Sequence, residues 1–245
     1  MEQNNQLVEA GQENLNHKFN FQEILDTQKR LGRELDITKQ YDPGFFWNDF
    51  GPRYFELFRK KEQFLKDVPW LIDRLKVLKP KSVLEVGCGF GRILPQLIDA
   101  KAAEEVQGID ISESILKSSE KYFAPIEEAQ LKQGEEAPKL DFSKIHLQVM
   151  DARRMAFESE IFDLVFSCEL LQHLSTEDCE QALMEMVRVS KRYVIAMERW
   201  AYPHEHSEPH IWSHNIADML QRLGVHILQT TTVSMGMSGI IAQKR

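Results

Sequence analysis

Ser82-Val83-Leu84-Glu85-Val86-Gly87-Cys88-Gly89-Phe90-Gly91, followed by Arg92-Ile93-Leu94-Pro95-Gln96-Leu97-Ile98, is the stretch that decides the fold. The apolar run before the glycines reads as a strand, the three alternating glycines as a turn, and the segment after them as a helix. Without side chains at Gly87, Gly89 and Gly91 the backbone reaches dihedrals closed to other residues, and a ligand can lie directly against it. The spacing is Gly-x-Gly-x-Gly. The fingerprint that seats a dinucleotide pyrophosphate on a helix N-terminus is Gly-x-Gly-x-x-Gly, so the difference of one residue points away from a nicotinamide cofactor.

After Lys79-Pro80 the chain alternates strand and helix, the pattern of a parallel sheet covered on both faces. Strands are predicted at 82–86, 106–110, 145–150, 162–168 and 193–197. Helices are predicted at 92–102, 112–123 with Ser112 as N-cap, 176–189 and 211–223, with an exposed connection over 124–144. Two closing strands, 226–233 and 238–243, are near enough in sequence to form a hairpin. Upstream, residues 1–18 are polar and read as a loose tail, and residues 19–80 as a helical cap before a domain over 81–245. The cap holds an amphipathic helix carrying Phe21, Ile24, Leu25, Leu31 and Leu35, then a turn at Asp42-Pro43-Gly44. An aromatic helix with Pro52 in its first turn follows, and a third helix starts at Pro69-Trp70.

At 245 residues and 42% hydrophobic content the chain can bury one substantial core. Its formal charge of −8 weighs against a broad phosphate-binding surface and so against nucleic acid as partner. Cys88, Cys168 and Cys179 have neither zinc-site spacing nor the density of a disulfide framework, which points to a reducing compartment. The first twenty residues hold no apolar stretch long enough for a signal peptide or membrane span, so a cytoplasmic protein without membrane attachment is expected.

With Glu85 directly before it, the glycine turn resembles motif I of the class I S-adenosylmethionine-dependent methyltransferases. The resemblance implies an α/β fold, a doubly wound, mostly parallel, seven-stranded Rossmann-like sheet behind the N-terminal cap, and S-adenosylmethionine as cofactor. Further positions at successive strand ends fit the same family. Around the turn, Gly87, Cys88, Gly89 and Gly91 would cradle the donor, and Glu85 would support the amino end of its methionine. Asp110, followed by Ile111, would accept both ribose hydroxyls; Asp151 would bond the adenine amino group while the Ala152 backbone addresses the ring. The backbone near Cys168, in Ser167-Cys168-Glu169-Leu170, would face the methionyl part. Taken singly, an Asp at a strand end is more often a turn former or a helix cap, and the small cysteines read as spacers; the conjunction carries the resemblance.

Methyl transfer from a sulfonium needs alignment and exclusion of water, plus a base where the acceptor is a hydroxyl or an ammonium. Glu198, His204 and His206 after the fifth strand are the expected catalytic candidates, and Trp47, Tyr54, His173 and Trp200 the expected acceptor-binding residues. For His173 and the aromatic side chains a packing role stands beside that reading. His204, His206, His210 and His214 allow a metal site to be imagined, but no compact ligand signature secures one and none is predicted. The fourth strand runs into Cys168-Glu169-Leu170-Leu171, where no Asn-Pro-Pro-Tyr-type tetrapeptide stands. The expected reaction is therefore methylation of a small molecule at oxygen or nitrogen. The alternatives are a protein or RNA methyltransferase that reads its substrate through the cap, and a non-catalytic cofactor-binding scaffold.

Overall fold

The structure, a computed structural model, describes residues 41–59, 65–123, 142–199, 212–234 and 236–244. The expected tail, the helix around Phe21 to Leu35, most of the 124–144 connection and the histidine loop over 200–211 lie outside the described residues.

Near-continuous apolar runs form strands that must be buried on both faces. β1 (Ser82–Val86), β2 (Glu105–Asp110), β3 (Ile145–Val149), β4 (Phe162–Cys168), β5 (Ser190–Arg199), β6 (His226–Ser234) and β7 (Met237–Gln243) build one sheet in the order β3-β2-β1-β4-β5-β7-β6. The first five are parallel, and β7 runs antiparallel to both β5 and β6. Alternate residues divide between two cores. Leu84, Val86, Val165 and Val194 pack with Leu183 and Met186 of α6 (Thr176–Val189) and Leu220 of α7 (Ile216–Arg222). Val83, Leu164, Phe166 and Ile195 pack with Leu71 and Leu75 of α2 (Val68–Leu78) and Leu97 of α3 (Leu94–Asp99). The strand order reverses beside β1, which opens a crevice at the carboxyl ends of β1 and β4.

Several boundaries differ from expectation for local reasons. β5 runs from 190 to 199 rather than 193 to 197, because the Ser190 hydroxyl donates to the Tyr193 carbonyl at 2.9 Å and β7 pairs with β5 as far as Arg199. The helix expected from Arg92 begins at Leu94, so Arg92 remains on the turn. The helix expected over 112–123 divides into α4 (Glu113–Lys117) and α5 (Ser119–Phe123). At the break the Ser118 hydroxyl donates to the Ser114 carbonyl at 3.3 Å, competing with the helical ladder. α7 starts at Ile216 rather than 211, where Asn215 caps it by accepting the Asp218 N–H.

The aromatic segment forms α1 (Pro43–Phe58), and the expected turn at Asp42-Pro43-Gly44 is its N-terminus: Asp42 accepts the Phe45 N–H at 2.7 Å and Pro43 fills the first turn. Pro52 lies inside the helix, not in its first turn. It has no N–H to offer the Asn48 carbonyl, and that oxygen instead accepts the Ser114 hydroxyl at 2.6 Å. The Trp47 carbonyl accepts the Ser112 hydroxyl at 2.8 Å. A Cβ at Gly51 would lie 2.9 Å from the Ile115 Cβ, so Gly51-Pro52 is what lets α1 dock closely on α4. α2, expected in the cap, packs on the sheet through Val68, Leu71 and Leu75. Among the described residues no helix is long and apolar enough to cross a membrane.

Candidate active site

The glycine turn is tied to the strand beside it. Gly87 and Cys88 N–H groups donate to the Ile109 carbonyl at 2.8 and 2.9 Å. Gly89, at φ +57°, turns its N–H onto Asp110 Oδ2 at 2.9 Å, while Asp110 Oδ1 accepts the Ser112 N–H at 2.9 Å. These backbone N–H groups orient the Asp110 carboxylate, which lines the cavity. Burial pushes its carboxyl up to about 6, against the pull of the Ser112, Gly89 and Ile111 backbone. A Cβ at Gly87 would lie 2.7 Å from Leu170 Cδ1, so only glycine lets the turn after β4 close against the turn after β1. Cys88 packs over Gly108, where a Cβ would come within 2.7 Å of Cys88 Sγ, and burial raises its thiol; it fills space rather than reacting.

At the β1–β4 end stands a charged group. Glu85 is 2% exposed, and its Oε2 has no hydrogen-bond partner. Burial pushes its carboxyl up to about 8, opposed by the Arg92 guanidinium. Arg92 Nη2 donates to Glu169 Oε2 at 3.4 Å and to Cys168 Sγ at 3.7 Å. Glu169 is held at φ +58°, a left-handed conformation that costs a non-glycine residue about 1–3 kcal/mol, with its N–H donating to the Met197 carbonyl at 2.9 Å. The sequence reading passed over Arg92 and Glu169. The available signal was charge: four acidic residues at successive strand ends need a cation nearby, and Arg92 directly follows the glycines.

At the β3 end Asp151 is clamped by Arg153, with Nε to Oδ1 at 3.0 Å and Nη2 to Oδ2 at 2.7 Å. Arg153 Nη1 also reaches Asp178 Oδ2 at 3.2 Å. Burial alone would raise the Asp151 carboxyl, but the Arg153 bonds hold it below the usual carboxylate range. Arg153 is a third residue that the sequence pattern did not reveal.

These groups line one cavity of about 1020 Å³, counted with its open mouth. Of the residues expected at the cofactor, Glu85, Gly87, Cys88, Gly89, Asp110, Ile111, Asp151, Ala152 and Cys168 line it. Gly91 does not: its φ is +77°, and a Cβ there would meet Phe123 at 3.0 Å, so it turns the chain away behind the cavity wall. Trp47, Tyr54 and Phe58 of α1 and His173 of the turn after β4 line the same cavity. The Trp47 ring stands edge-on to His173 at 5.1 Å and to Tyr54 at 5.8 Å. Burial pushes the Tyr54 hydroxyl up to about 12.

The expected catalytic set is placed differently. Glu198 does not line the cavity; it is buried behind the Leu170–His173 turn, where it accepts from Ser167 Oγ at 2.8 Å, Leu171 N at 3.1 Å and Leu170 N at 3.4 Å. Burial pushes its carboxyl up to about 7, against the Ser167 and Leu171 bonds. His204, His206 and Trp200 lie outside the described residues. His214 is buried with its Nε2 2.9 Å from the Leu174 carbonyl, and burial lowers its pKa, so it braces the same turn.

Residues 83–192 match the family profile described as a methyltransferase domain. Ajmaline N-methyltransferase of Rauvolfia serpentina is 33% identical over 112 residues, 46% of this chain and 33% of that protein. Ubiquinone biosynthesis O-methyltransferase of Histophilus somni is 33% identical over 97 residues, 40% of this chain and 36% of that protein. The chain spans less than half the length of the curated relatives it matches. Magnesium protoporphyrin IX methyltransferase of Synechocystis, solved with bound S-adenosylmethionine, superposes with a TM-score of 0.61 at 19% identity, covering 84% of this chain and 99% of that one. At that identity the likeness is one of fold.

Proposed function

We propose that this chain is a class I methyltransferase, a reading supported by its sheet order and the match over residues 83–192, and that it transfers a methyl group from S-adenosylmethionine to an oxygen or nitrogen of a small-molecule acceptor. The observation that carries this reading is one cavity that gathers the glycine turn, Asp110 and the buried, unpartnered Oε2 of Glu85 at adjacent strand ends. That donor fits these residues. Asp110 lines the cavity with a carboxylate, an acceptor suited to ribose hydroxyls, and Glu85 has an orphaned oxygen that a ligand ammonium would satisfy. Asp151 and Ala152 line the same cavity and are the proposed partners of the adenine, with Arg153 fixing the Asp151 carboxylate.

When bound, the donor supplies a methyl group already activated by a positive sulfur. The protein's share is alignment and dryness. Trp47, Tyr54 and Phe58 close one side of the cavity with rings that exclude water, and aromatic faces suit a nearby cation. His173 is the imidazole among the described lining residues and serves in this reading as an acceptor-side residue. His204, His206 and Trp200 remain candidates on the acceptor side, whereas Glu198 acts as a positioning residue for the turn that carries His173. An aromatic enclosure on a chain of net charge −8 favours a small acceptor over RNA. Three buried, unbridged cysteines accord with a reducing compartment such as the cytoplasm.

Calorimetric titration with S-adenosylmethionine and S-adenosylhomocysteine tests the donor site: both bind the wild type, and Asp110→Asn weakens both. Incubation of a methyl-labelled donor with separated pools of metabolites, proteins and RNA then tests the acceptor. Label confined to the metabolite pool is expected; label in protein or RNA instead overturns the small-molecule reading.

A further inference from the structure

We propose that Gln172 recognises the methyl acceptor: its side-chain oxygen takes a hydrogen bond from an N–H or O–H of that molecule and so selects acceptors that can donate one. This rests on the small-molecule reading above and names the feature of the acceptor that the site reads. Among the described residues that line the cavity, two carry a buried side-chain oxygen without a hydrogen-bond partner, Glu85 Oε2 and Gln172 Oε1. Glu85 is assigned to the donor. Gln172 is 4% exposed, and its oxygen is left with a bond unmade. A buried acceptor in that state costs stability, which calls for a partner that the folded chain does not itself supply.

Gln172 sits in the short turn Leu171–His173, just beyond the carboxyl end of β4. The turn is fixed from three directions. The Leu171 N–H donates to Glu198 Oε2 at 3.1 Å, the Gln172 carbonyl accepts the Trp212 N–H at 2.8 Å, and His214 Nε2 lies 2.9 Å from the Leu174 carbonyl. The backbone under the amide is therefore not at liberty to shift and find the oxygen a partner. An amide nitrogen only donates, so at 3.3 Å it gives its hydrogen to His173 Nε2, and the oxygen receives none. The last torsion of a Gln side chain is broad, so a small turn of the amide presents this oxygen to the cavity that Gln172 lines. His173 beside it meets the Trp47 ring at 5.1 Å, which sets the turn against the aromatic wall assigned to the acceptor. Rings accept any apolar face. An unpaired carbonyl instead separates a molecule with a polar hydrogen from one without, because the latter leaves the buried oxygen unanswered.

Labelling of a metabolite extract with methyl-labelled S-adenosylmethionine, by the wild type, Gln172→Met and Gln172→Glu, tests the proposal, with urea unfolding and S-adenosylhomocysteine calorimetry on each. Gln172→Met is close in volume and lacks the oxygen. It is expected to unfold at no lower urea concentration than the wild type and to bind S-adenosylhomocysteine as tightly. At low extract concentration it labels about 5- to 100-fold more slowly, the range for one polar hydrogen left unpaired in a buried site, and the deficit shrinks as the extract is concentrated. Gln172→Glu keeps an accepting oxygen and recovers part of the rate. Labelling by Gln172→Met at the wild-type rate overturns the proposal. So does a fall in its urea midpoint and S-adenosylhomocysteine affinity together, the mark of a residue that only supports the fold, and so does a Gln172→Glu rate no better than that of Gln172→Met. A wild type that binds S-adenosylhomocysteine yet labels no metabolite overturns the small-molecule reading itself, and the proposal with it, before any variant is made.

Discussion

Replacing Glu198 separates a group that takes a proton from one that holds a wall in place. In the structure its carboxylate accepts from Ser167 Oγ at 2.8 Å and Leu171 N at 3.1 Å, and it is 3% exposed. Glu198→Ala strands both donors in the interior and leaves a void, a loss of about 3–5 kcal/mol. Glu198→Gln keeps the volume but cannot ionise, and it isolates the titration. The folded carboxyl stands at about 7 against an ordinary 4.5, so it is raised. Its contribution is fully present below the ordinary value and is lost as pH climbs through the folded one. The shift converts to about 3 kcal/mol by linkage. Urea unfolding of wild type and Glu198→Gln across about pH 5 to 8 should therefore show the wild type losing ground to the variant as pH rises. In methyl-transfer assays the variant should keep kcat within about tenfold and raise KM for the acceptor, since the turn carrying His173 is loosened while the reacting groups remain. Parallel stability curves together with abolished turnover would refute this reasoning and restore Glu198 as the proton acceptor expected from sequence.

Three further outcomes are expected. Gly51→Ala forces α1 away from α4, because its Cβ would lie 2.9 Å from Ile115 Cβ; the overpacking costs about 1–3 kcal/mol, less about 1 kcal/mol regained in helix propensity. Unfolding midpoints and S-adenosylhomocysteine affinity should both fall, and unchanged values for both would mean that the close approach of the two helices is not needed. Glu85, raised by burial to about 8, contributes stability that is present below its ordinary 4.5 and lost as pH rises through 8; Glu85→Gln removes that slope. At neutral pH, donor binding to the wild type should also release protons as Glu85 ionises beside the ligand ammonium. Calorimetry in buffers of different ionisation heat reads this, and equal release from Glu85→Gln would exclude Glu85 as the source.

Local pattern made much of the site legible. Strand ends can be placed from where apolar runs stop, and Glu85, Asp110 and Asp151 all stand at such stops, which is why they arrive in one cavity. Gly91 shares the spacing of Gly87 and Gly89, yet it turns toward Phe123, because spacing says nothing about which side of a turn faces a ligand. Glu198 lies after an apolar strand as a catalytic base would, but its orientation was decided by Ser167 and Leu171, which reach it from β4 and the turn that follows. Arg92 and Arg153 escaped notice because their meaning lies in their partners, and Glu169 is 77 positions from Arg92.

The sequence alone determined the layered α/β architecture, the strand-turn-helix cradle and the carboxylates around it, since these follow from apolar periodicity, glycine placement and residues close in the chain. Only the tertiary structure decided the direction in which each of those groups acts. It put Pro52 inside α1 with the Asn48 carbonyl that Pro52 leaves unpaired answered by Ser114, made α1 the wall of the cavity and α2 part of the sheet layer, and set Arg92 against Glu169. The physical reason is that hydrogen-bond satisfaction and charge pairing in a buried space are settled between segments far apart in the chain, where no local pattern records them.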